Sequence, residues 1–382
     1  MLKGVQLSLL MGPIVVNPVP RQVVEALTAV QVTVGSSQRS GFQLTFGLSK
    51  NSLLSRSLIP AGYFDPMVRV IVVVTINGSP EVIMDGLITR QQLTPSSEPG
   101  QSSLVVTGED VSQAMDLTDV PRIPFPAMPN EARIALILAK YAMFGIVPLV
   151  IPSILINVMS PTEKIATQKG TDLQYILSLA EEVGYVFYIE PGPAPRMNVA
   201  YWGPEIKVGP AQPALSVNMD AHSNVESLSF TYDGLSKTLY VLFIQETLSP
   251  AKAPIPIPVP DVTPLNPPLG LKPPLPLHVK FLGDGEDAKA TAKYSPVQAA
   301  AIALGKASRH SDVITASGAL DIVRYGRVLK ARQLVGVRGA GPAYDGLYYV
   351  RSVTHNIKHG EYKQNFTLSR NALIPFTSTV PV

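Results

Sequence analysis

Hydrophobic and polar positions alternate over several short stretches of the chain, and this two-residue period predicts β-strands. In the first 110 residues the alternation is clear in Ala29–Val34 and Phe42–Phe46. Val68–Val74 is a continuous apolar run, which indicates a strand buried on both faces. Polar residues, glycine and proline break the apolar start of the chain, so we expect a strand there and not a signal peptide. Residues 1–110 are therefore expected to form a small β-barrel.

A second group of short apolar runs occupies residues 313–372, and glycines separate these runs as is typical of antiparallel strands. In both groups a strand, an Asp-Gly pair and two further strands follow one another. The pairs are Asp85-Gly86 and Asp345-Gly346, and each precedes its last strand by nearly the same distance. We interpret this match as an internal duplication, with residues 213–246 and 313–372 forming a second, related barrel.

Residues 111–212 have a different texture, which indicates an inserted α+β domain. Thr171 and Gln174 have the spacing of a capping box, in which hydroxyl and amide each satisfy a free backbone donor of a helix. Gly184 stands where a left-handed C-terminal cap belongs. Two strands around a Gly/Pro loop follow, so residues 171–202 are expected to form a helix laid on a hairpin. The fold class predicted is α+β and mainly β, with two tube-like barrels around this insertion.

Residues 247–312 are expected to form a proline-rich arm and an Ala-rich helix. Between Ser249 and Pro276 lie 11 of the 36 prolines, so this segment is predicted to be neither helix nor inner strand. We expect an extended spacer that contributes nothing to a core. A second capping box begins at Ser295 and opens the helix. Residues 373–382 form a short apolar tail.

Composition narrows the possible chemistry. Charged residues are only 15% and the formal net charge is +3, too small on its own to indicate nucleic acid or an anionic membrane. The chain has no cysteine, which excludes disulfides and a Cys nucleophile. His355 and His359 are four apart, but on a strand and its turn that spacing does not bring two ligands together. Serine-hydrolase and phosphate-loop motifs are missing, so no catalytic residue, metal or cofactor is predicted.

Two stretches carry a resemblance to a known family. Gly170–Gln174 with Gly184–Tyr188 resembles the helix-hairpin signature of phage late control gene D proteins and VgrG-type hubs. The segments that are similar to the C-terminal barrel of that family are Leu334–Gly339, Tyr344–Val350, Val353–His355 and Tyr362–Arg370. The signature positions within these segments are Thr171, Gln174, Gly184, Asp345, Gly346, Tyr349, His355 and Phe366.

The resemblance implies a structural baseplate hub of a contractile phage tail or of a phage-derived injection system. Members form homotrimers, and two barrels in each of three chains make a six-fold-like ring under the hexameric inner tube. The partners implied are the tube protein, a separate trimeric spike and other baseplate proteins, with no membrane insertion and no specific nucleic acid. Assembly is expected in the cytoplasm, within a virion or an injection particle.

The tail is the candidate spike contact, because no fused needle domain follows the last barrel. Its apolar members are Leu373, Ile374, Pro375 and Phe376. Two other functions stay open. A tail-associated cell-wall hydrolase would need a Glu/Asp pair in a cleft. A nucleic-acid-binding barrel would use the basic residues that gather in the last barrel, and its affinity would fall with salt.

Overall fold

The computed structural model describes residues 4–13, 15–36, 38–49, 51–98, 101–153, 166–245, 254–282 and 296–376. Within these ranges the chain is mainly β, as predicted. The strands of the first part are β1 Val5–Gly12, β2 Asn17–Pro18, β3 Leu27–Gly35, β4 Gly41–Leu48, β5 Arg69–Ile76, β6 Ser79–Thr94 and β7 Ser102–Asp110. The strands of the middle are β8 Pro124–Phe125, β9 Ile146–Val150, β10 Ala166–Thr167, β11 Val186–Pro191 and β12 Asn198–Gly203.

The strands of the last part are β13 Gln212–Ser216, β14 Val225–Tyr232, β15 Thr238–Gln245, β16 Pro254–Val259, β17 His278–Leu282, β18 Ile314–Asp321, β19 Leu334–Arg338, β20 Gly346–Lys358 and β21 Glu361–Arg370. The helices are α1 Arg21–Ala26, α2 Asn130–Ala139, α3 Asp172–Glu182, α4 Pro296–Arg309 and α5 Ile322–Tyr325. The expected first strand is present as β1. None of the helices in the described part of the chain combines the length and hydropathy that a bilayer crossing requires.

Thirteen strands form one sheet, in which strands from both ends of the chain are neighbours. Its two parts meet where β20 pairs with β3, antiparallel, from Ser352 opposite Gly35 to Lys358 opposite Ala29. A single apolar core follows the sheet across this junction and includes Val32 and Val353. Within the described ranges the strands make an open, branched sheet, so the predicted closure into two separate barrels is not confirmed.

The sheet divides at the β20–β3 pairing into two parts with the same strand order. The first runs β3-β4-β7-β6-β5-β1 and the second runs β14-β18-β21-β20-β19-β13. Within β3–β7, called the first unit here, and within β14 with β18–β21, called the second unit, all neighbouring strands are antiparallel. The sixth strand differs, because β1 is antiparallel to β5 whereas β13 is parallel to β19. A short helix follows the second strand of each unit, Leu54–Leu58 in one and α5 in the other.

β-Bulges stand at the same two places in both units. One falls at Thr28 in β3 and at Glu226 in β14, and the other at Thr89 in β6 and at Arg351 in β20. The pairs that flank the equivalent bulges are Leu27–Phe46 and Val225–Leu320, then Ile88–Gly108 and Val350–Leu368. A bulge inserts one unpaired residue and bends the strand at a defined position. Two coincident bulges in units of equal topology support the predicted internal duplication.

The entry to the fifth strand of each order, β5 and β19, repeats as well. Met67 and Arg332 both adopt positive φ, 73° and 62°, which is uncommon for residues other than glycine. Their N–H groups donate to the carbonyls of Ile88 and Val350, both at 2.8 Å. Because Ile88 and Val350 are also equivalent by the bulges, the local backbone supports the same alignment of the two units.

This alignment corrects the one predicted from Asp-Gly pairs. Asp85 and Gly86 lie inside β6, opposite Ile71 and Val70 of β5, and so do not form a turn. The β5–β6 turn is made by Asn77-Gly78 instead, where both residues have positive φ. When the two units are aligned on their bulges, Gly86 is equivalent to Tyr348 of the second unit. The predicted equivalent was Gly346, two residues away.

The inserted segment is a helix on a hairpin, as predicted. Thr171 accepts the N–H of Gln174 at 3.2 Å and its own N–H reaches Gln174 Oε1 at 3.4 Å, which completes the capping box. At the other end Gly184 has φ +72°, and the N–H of Tyr185 donates to the Ala180 carbonyl at 2.7 Å in a Schellman cap.

The hairpin β11–β12 carries a third strand that the sequence did not indicate. β9 pairs in parallel with β12, and α3 covers this sheet over the buried Trp202. On α3 Leu177 is exposed and Tyr175 is buried.

The strands β15, β16 and β17 form a separate three-stranded sheet of order β16-β15-β17. β15 was expected to extend the second barrel, but it pairs with the proline-rich β16 and with β17. The prolines of β16 lie on an edge strand, where a missing N–H is tolerated. α4 packs on this sheet through Ala303 and Ala307. The predicted cap at Ser295 lies outside the described residues.

The proline-rich arm packs into the body of the molecule, contrary to the expectation of a spacer. Leu269 is buried with Leu334 and Tyr349, and its N–H donates to Asn371 Oδ1 at 2.8 Å. The Asn266 side-chain amide, also buried, donates to the Ser308 hydroxyl at 2.8 Å. Proline-rich sequence therefore excludes inner strands without excluding burial, because side chains of an extended chain can still reach a core.

Candidate assembly surfaces

The predicted signature residues do not converge on one site. Thr171, Gln174 and Gly184 hold the ends of α3, as described above. The residues from Asp345 to Phe366 belong to the second unit and fall into three local environments: a corner, a buried ion-pair cluster and the junction with the first unit.

The corner is the loop that leads from β19 to β20. Asp345 Oδ1 accepts the N–H of Ala340 at 2.8 Å, and Arg370 donates to the carbonyls of Asp345 and Ala343, both at 2.6 Å. The Arg370 guanidinium is buried 4.5 Å from the centre of the Tyr348 ring. Burial lowers the pKa of Arg370 below its usual value, and the π face of Tyr348 partly replaces lost solvent. Arg370 therefore holds the corner in one conformation.

Gly346 opens β20 at this corner with φ +113°, as the Asp-Gly pair predicted. A Cβ atom at Gly346 would lie 2.4 Å from Cβ of Pro375. The glycine is thus required both by the backbone and by the tail, which passes directly over it.

The candidate spike contact, Leu373–Phe376, begins as a bound strand-like segment and ends exposed. Leu373 forms an antiparallel bridge with Lys272 of the arm, and the N–H of Leu271 donates to the Ile374 carbonyl at 2.7 Å. Pro375 is half-buried, whereas Ile374 is exposed and Phe376 has 57% of its surface exposed. Phe376 and Pro375 also line a cleft with Val208, Pro267 and Leu347. The arm and the tail together form one apolar surface.

Tyr349 belongs to a buried ion-pair cluster. Lys207 Nζ lies 5.4 Å from the centre of the Tyr349 ring and 3.0 Å from Asp312 Oδ2. The same carboxylate accepts from Arg351 at 3.1 Å and from the Ser369 hydroxyl at 2.7 Å. Burial, first, and then nearby carboxylates raise the pKa of Tyr349, so its hydroxyl stays protonated. This cluster ties the linker after β12 to the second unit.

His355 lies on the buried face of β20 at the junction with β3. Its Nδ1 is 2.8 Å from the Tyr362 hydroxyl and 3.4 Å from Gln364 Nε2. Gln364 is oriented by Leu329, which donates to Oε1 and accepts from Nε2, both at 2.9 Å. Because Gln364 presents an N–H, Nδ1 of His355 must accept and the ring is neutral. Burial lowers the pKa of His355 to about 4.

Phe366, the last signature residue, is buried opposite Val353 and covers Gly318 of β18. Its role is packing in the second unit.

The junction between the units is held by one arginine that sequence reasoning did not single out. Arg332 Nη2 donates to the Gly35 carbonyl at 2.6 Å and Nη1 to Glu190 at 2.6 Å. Its guanidinium lies 3.9 Å from the centre of the Tyr188 ring. Arg332 thus joins the first unit, the second unit and the helix-hairpin segment.

A second missed contact joins the first unit to the insertion. Arg69 and Asp85 form a bidentate pair at 2.8 and 2.7 Å, and both are buried. Asn198 Nδ2 donates to the same carboxylate at 2.9 Å, and Arg69 donates to the Phe144 carbonyl at 2.7 Å. No sequence signal distinguishes this Asp-Gly pair from one in a turn.

The described residues offer little for the alternative chemistries. Across those ranges no group of three or more His, Asp or Glu side chains is placed to hold a metal ion. Several basic side chains of the second unit are already engaged by carboxylates: Lys363 contacts Glu226 and Glu361, and Arg351 contacts Asp312. Arg324, Arg327 and Lys358 of the same unit are exposed.

No family model matches the sequence, and no curated protein sequence matches it. Solved structures do. A tail protein from Neisseria meningitidis MC58 superposes with TM-score 0.61 at 12% identity, over 97% of this chain and 98% of that chain. The 43 kDa tail protein of prophage MuSo2 from Shewanella oneidensis gives 0.57 at 14% identity, over 96% and 98%. A Francisella PdpA-VgrG complex gives 0.57 at 8% identity, over 100% of this chain and 54% of that chain. The chain therefore has the fold that these phage tail and VgrG proteins share.

Proposed function

We propose that this chain is the structural hub of a contractile phage tail or of a phage-derived injection particle. In this role it is a homotrimer that joins a hexameric inner tube to a separate trimeric spike. It is assembled in the cytoplasm, works without a catalytic residue or cofactor, and contacts other baseplate proteins. The likeness to tail and VgrG proteins along nearly the whole chain supports this reading.

The duplicated strand order is the observation that carries the proposal. Each chain has two units of equal topology with bulges at equal positions. Three chains then present six similar units, which is the number needed to face six identical tube subunits. Strand geometry can match a hexamer while side chains differ between the units, so the ring is pseudo-six-fold on this side.

We assign one tube-like barrel to residues 1–110 and the other to residues 213–232 and 313–372, because β15 pairs in the separate three-stranded sheet. In the described chain both are open, and neighbouring copies complete them in the ring. Residues 111–212, the arm and helix at 247–312, and the tail at 373–382 are carried outside the two barrels.

The opposite side needs only three-fold symmetry, and the apolar surface of arm and tail is our candidate for it. Ile374 and Phe376 project from a segment that is fixed at Leu373 and Pro375, so an exposed hydrophobic anchor stands on a rigid base. Exposed aromatic anchors held in this way are typical centres of protein interfaces.

Co-expression with candidate tube and spike proteins from the same genome tests the proposal. The wild-type chain is expected to co-purify with both, and Phe376→Asp to lose the spike while it keeps the tube. Leu117→Asp is the matched control, because Leu117 is exposed to nearly the same extent, 54% against 57%, on a different element. A wild-type chain that binds neither protein contradicts the hub function, and loss of tube binding alone in Phe376→Asp contradicts the polarity.

A further inference from the structure

Each unit has a strand edge that pairs with no other described strand of the sheet. Among the described strands β14 pairs only with β18. In β6 the residues beyond the Thr89 bulge, Arg90–Thr94, pair only with β7 on one side. All five of these β6 residues are exposed. An exposed edge presents unpaired N–H and C=O groups and is a template for another strand.

The junction inside the chain shows what such edges bind. There, Ser352–Asn356 of β20, beyond the Arg351 bulge, pairs with β3. The bulges make Arg351 equivalent to Thr89, so Ser352–Asn356 is equivalent to Arg90–Thr94. They also make Thr28 of β3 equivalent to Glu226 of β14. Each free edge is therefore the counterpart of one partner in the existing junction.

We infer that Arg90–Thr94 of one copy pairs antiparallel with Ser229–Asp233 of a second copy, in the register of the β20–β3 junction. This inference rests on the proposed homo-oligomer and specifies its interface. The pairs that the equivalence gives are Arg90–Asp233, Gln91–Tyr232, Gln92–Thr231, Leu93–Phe230 and Thr94–Ser229.

The side chains on one face of this pairing are complementary. Arg90 stands opposite Asp233, and both are exposed in the single chain, so opposite charges meet across the strands. The next pairs on this face join two polar residues each, Gln92 with Thr231 and Thr94 with Ser229. Inside the chain the equivalent pairs are polar too: the Thr33 and Thr354 hydroxyls are 3.2 Å apart, and Gln31 Nε2 is 3.2 Å from Asn356 Oδ1.

The other face is mainly apolar, as the equivalent face of the existing junction is. Leu93, 54% exposed in the single chain, stands opposite Phe230. Their counterparts, His355 and Val32, are both buried. Phe230 already packs at 5.0 Å from the Tyr344 ring, so Leu93 would extend an existing apolar cluster. A register shifted by one residue would place Leu93 on the polar face, and this fixes the pairing.

Each copy gives one edge and accepts another, so the contact is head-to-tail. Contacts of this kind close into rings when the rotation per copy divides a full turn. The sheet would then continue around the ring, with β20–β3 junctions within chains alternating with the proposed junctions between chains.

Disulfide trapping tests the register, and the chain has no cysteine of its own to interfere. Residues directly opposite in an antiparallel pair have the Cα separation that a disulfide needs. The double variant Gln92→Cys with Thr231→Cys is expected to give covalently linked copies on a non-reducing denaturing gel. Thr33→Cys with Thr354→Cys, the equivalent pair in the β20–β3 junction, is expected to form a disulfide within one chain. Gln92→Cys with Ser229→Cys, two residues out of register, is expected to link few copies.

Sedimentation of the wild-type chain separates this inference from the hub function. Copies that associate but give no more links in register than out of register would overturn the edge pairing and leave the hub proposal standing. A wild-type chain that stays monomeric at all concentrations, together with no links in the Gln92→Cys, Thr231→Cys variant, overturns the edge pairing as well. Binding to tube and spike then decides the hub role. Arg90→Glu is expected to weaken association several-fold, whereas Arg324→Glu, the same charge change at another exposed site, leaves it unchanged. Equal effects of both would also count against the pairing.

Discussion

The buried histidine at the junction of the two units gives a quantitative prediction of stability against pH. His355 is neutral in the folded chain and its pKa is lowered to about 4 by burial. Its Nδ1 accepts hydrogen bonds from Tyr362 and Gln364, and Gln364 is held by Leu329 and cannot turn to accept instead. A proton on Nδ1 would therefore face the N–H of Gln364 in the folded state, whereas the unfolded chain takes up the proton freely.

The magnitude follows from linkage. An unperturbed histidine has a pKa of about 6.5, and each unit of difference corresponds to about 1.4 kcal/mol. Because the folded pKa is lowered, this stability is fully present above the unfolded pKa and is lost as the pH falls from the unfolded pKa to the folded one. The free energy of unfolding should drop by about 2 kcal/mol between pH 7 and pH 5, and by about 3 kcal/mol near pH 4.

Urea unfolding at pH 7 and pH 5, at one fixed protein concentration, measures this change. The wild-type chain is compared with His355→Gln, which cannot take up a proton, and with His359→Gln, which removes an exposed histidine on the following turn. Burial also raises the pKa of Asp110, which makes the folded chain more stable as the pH falls and so opposes the effect of His355. All three chains contain Asp110, so its contribution cancels when their pH dependences are compared. The pH dependence should shrink only in His355→Gln. Equal pH dependence in the three chains would refute the argument.

Three further substitutions test the corner, the buried ion pair and the arm. Gly346→Val should lower the free energy of unfolding by more than the roughly 1–3 kcal/mol of positive-φ strain, because Pro375 of the tail occupies the space of the new side chain. Gly360→Val is the control for strain alone, because Gly360 also has positive φ but faces open space. Equal melting temperatures of the two variants would contradict the clash. Asp85→Asn should destabilise the fold by about 3–5 kcal/mol in urea unfolding, because Arg69 then stays buried without its counter-charge; an unchanged midpoint would contradict this. Leu269→Ala should cost about 2–5 kcal/mol by the same assay, and no loss would show that the arm is a spacer after all.

Local chemistry was predictable from the sequence and long-range pairing was not. The cap at Thr171 and the left-handed Gly184 depend on neighbours within four residues, so their residue types suffice. Asp85-Gly86 reads like Asp345-Gly346, yet a strand 16 residues away supplies Arg69 and draws the first pair into a buried ion pair. The bulges that align the two units are visible only once partner strands are known. The duplication itself was inferred from turns that are not equivalent, and the register corrects it by two residues.

The β20–β3 junction has a consequence for folding during synthesis. It joins positions as far apart as Thr33 and Thr354, which are 321 residues from one another. Contacts between such distant positions slow folding, because a long loop must close before they form. During synthesis β3 therefore leaves the ribosome with an unpaired edge and waits until nearly the whole chain has followed. During that interval the first unit is an aggregation-prone intermediate with an exposed strand edge. This edge is covered once β20 has left the ribosome and pairs with β3.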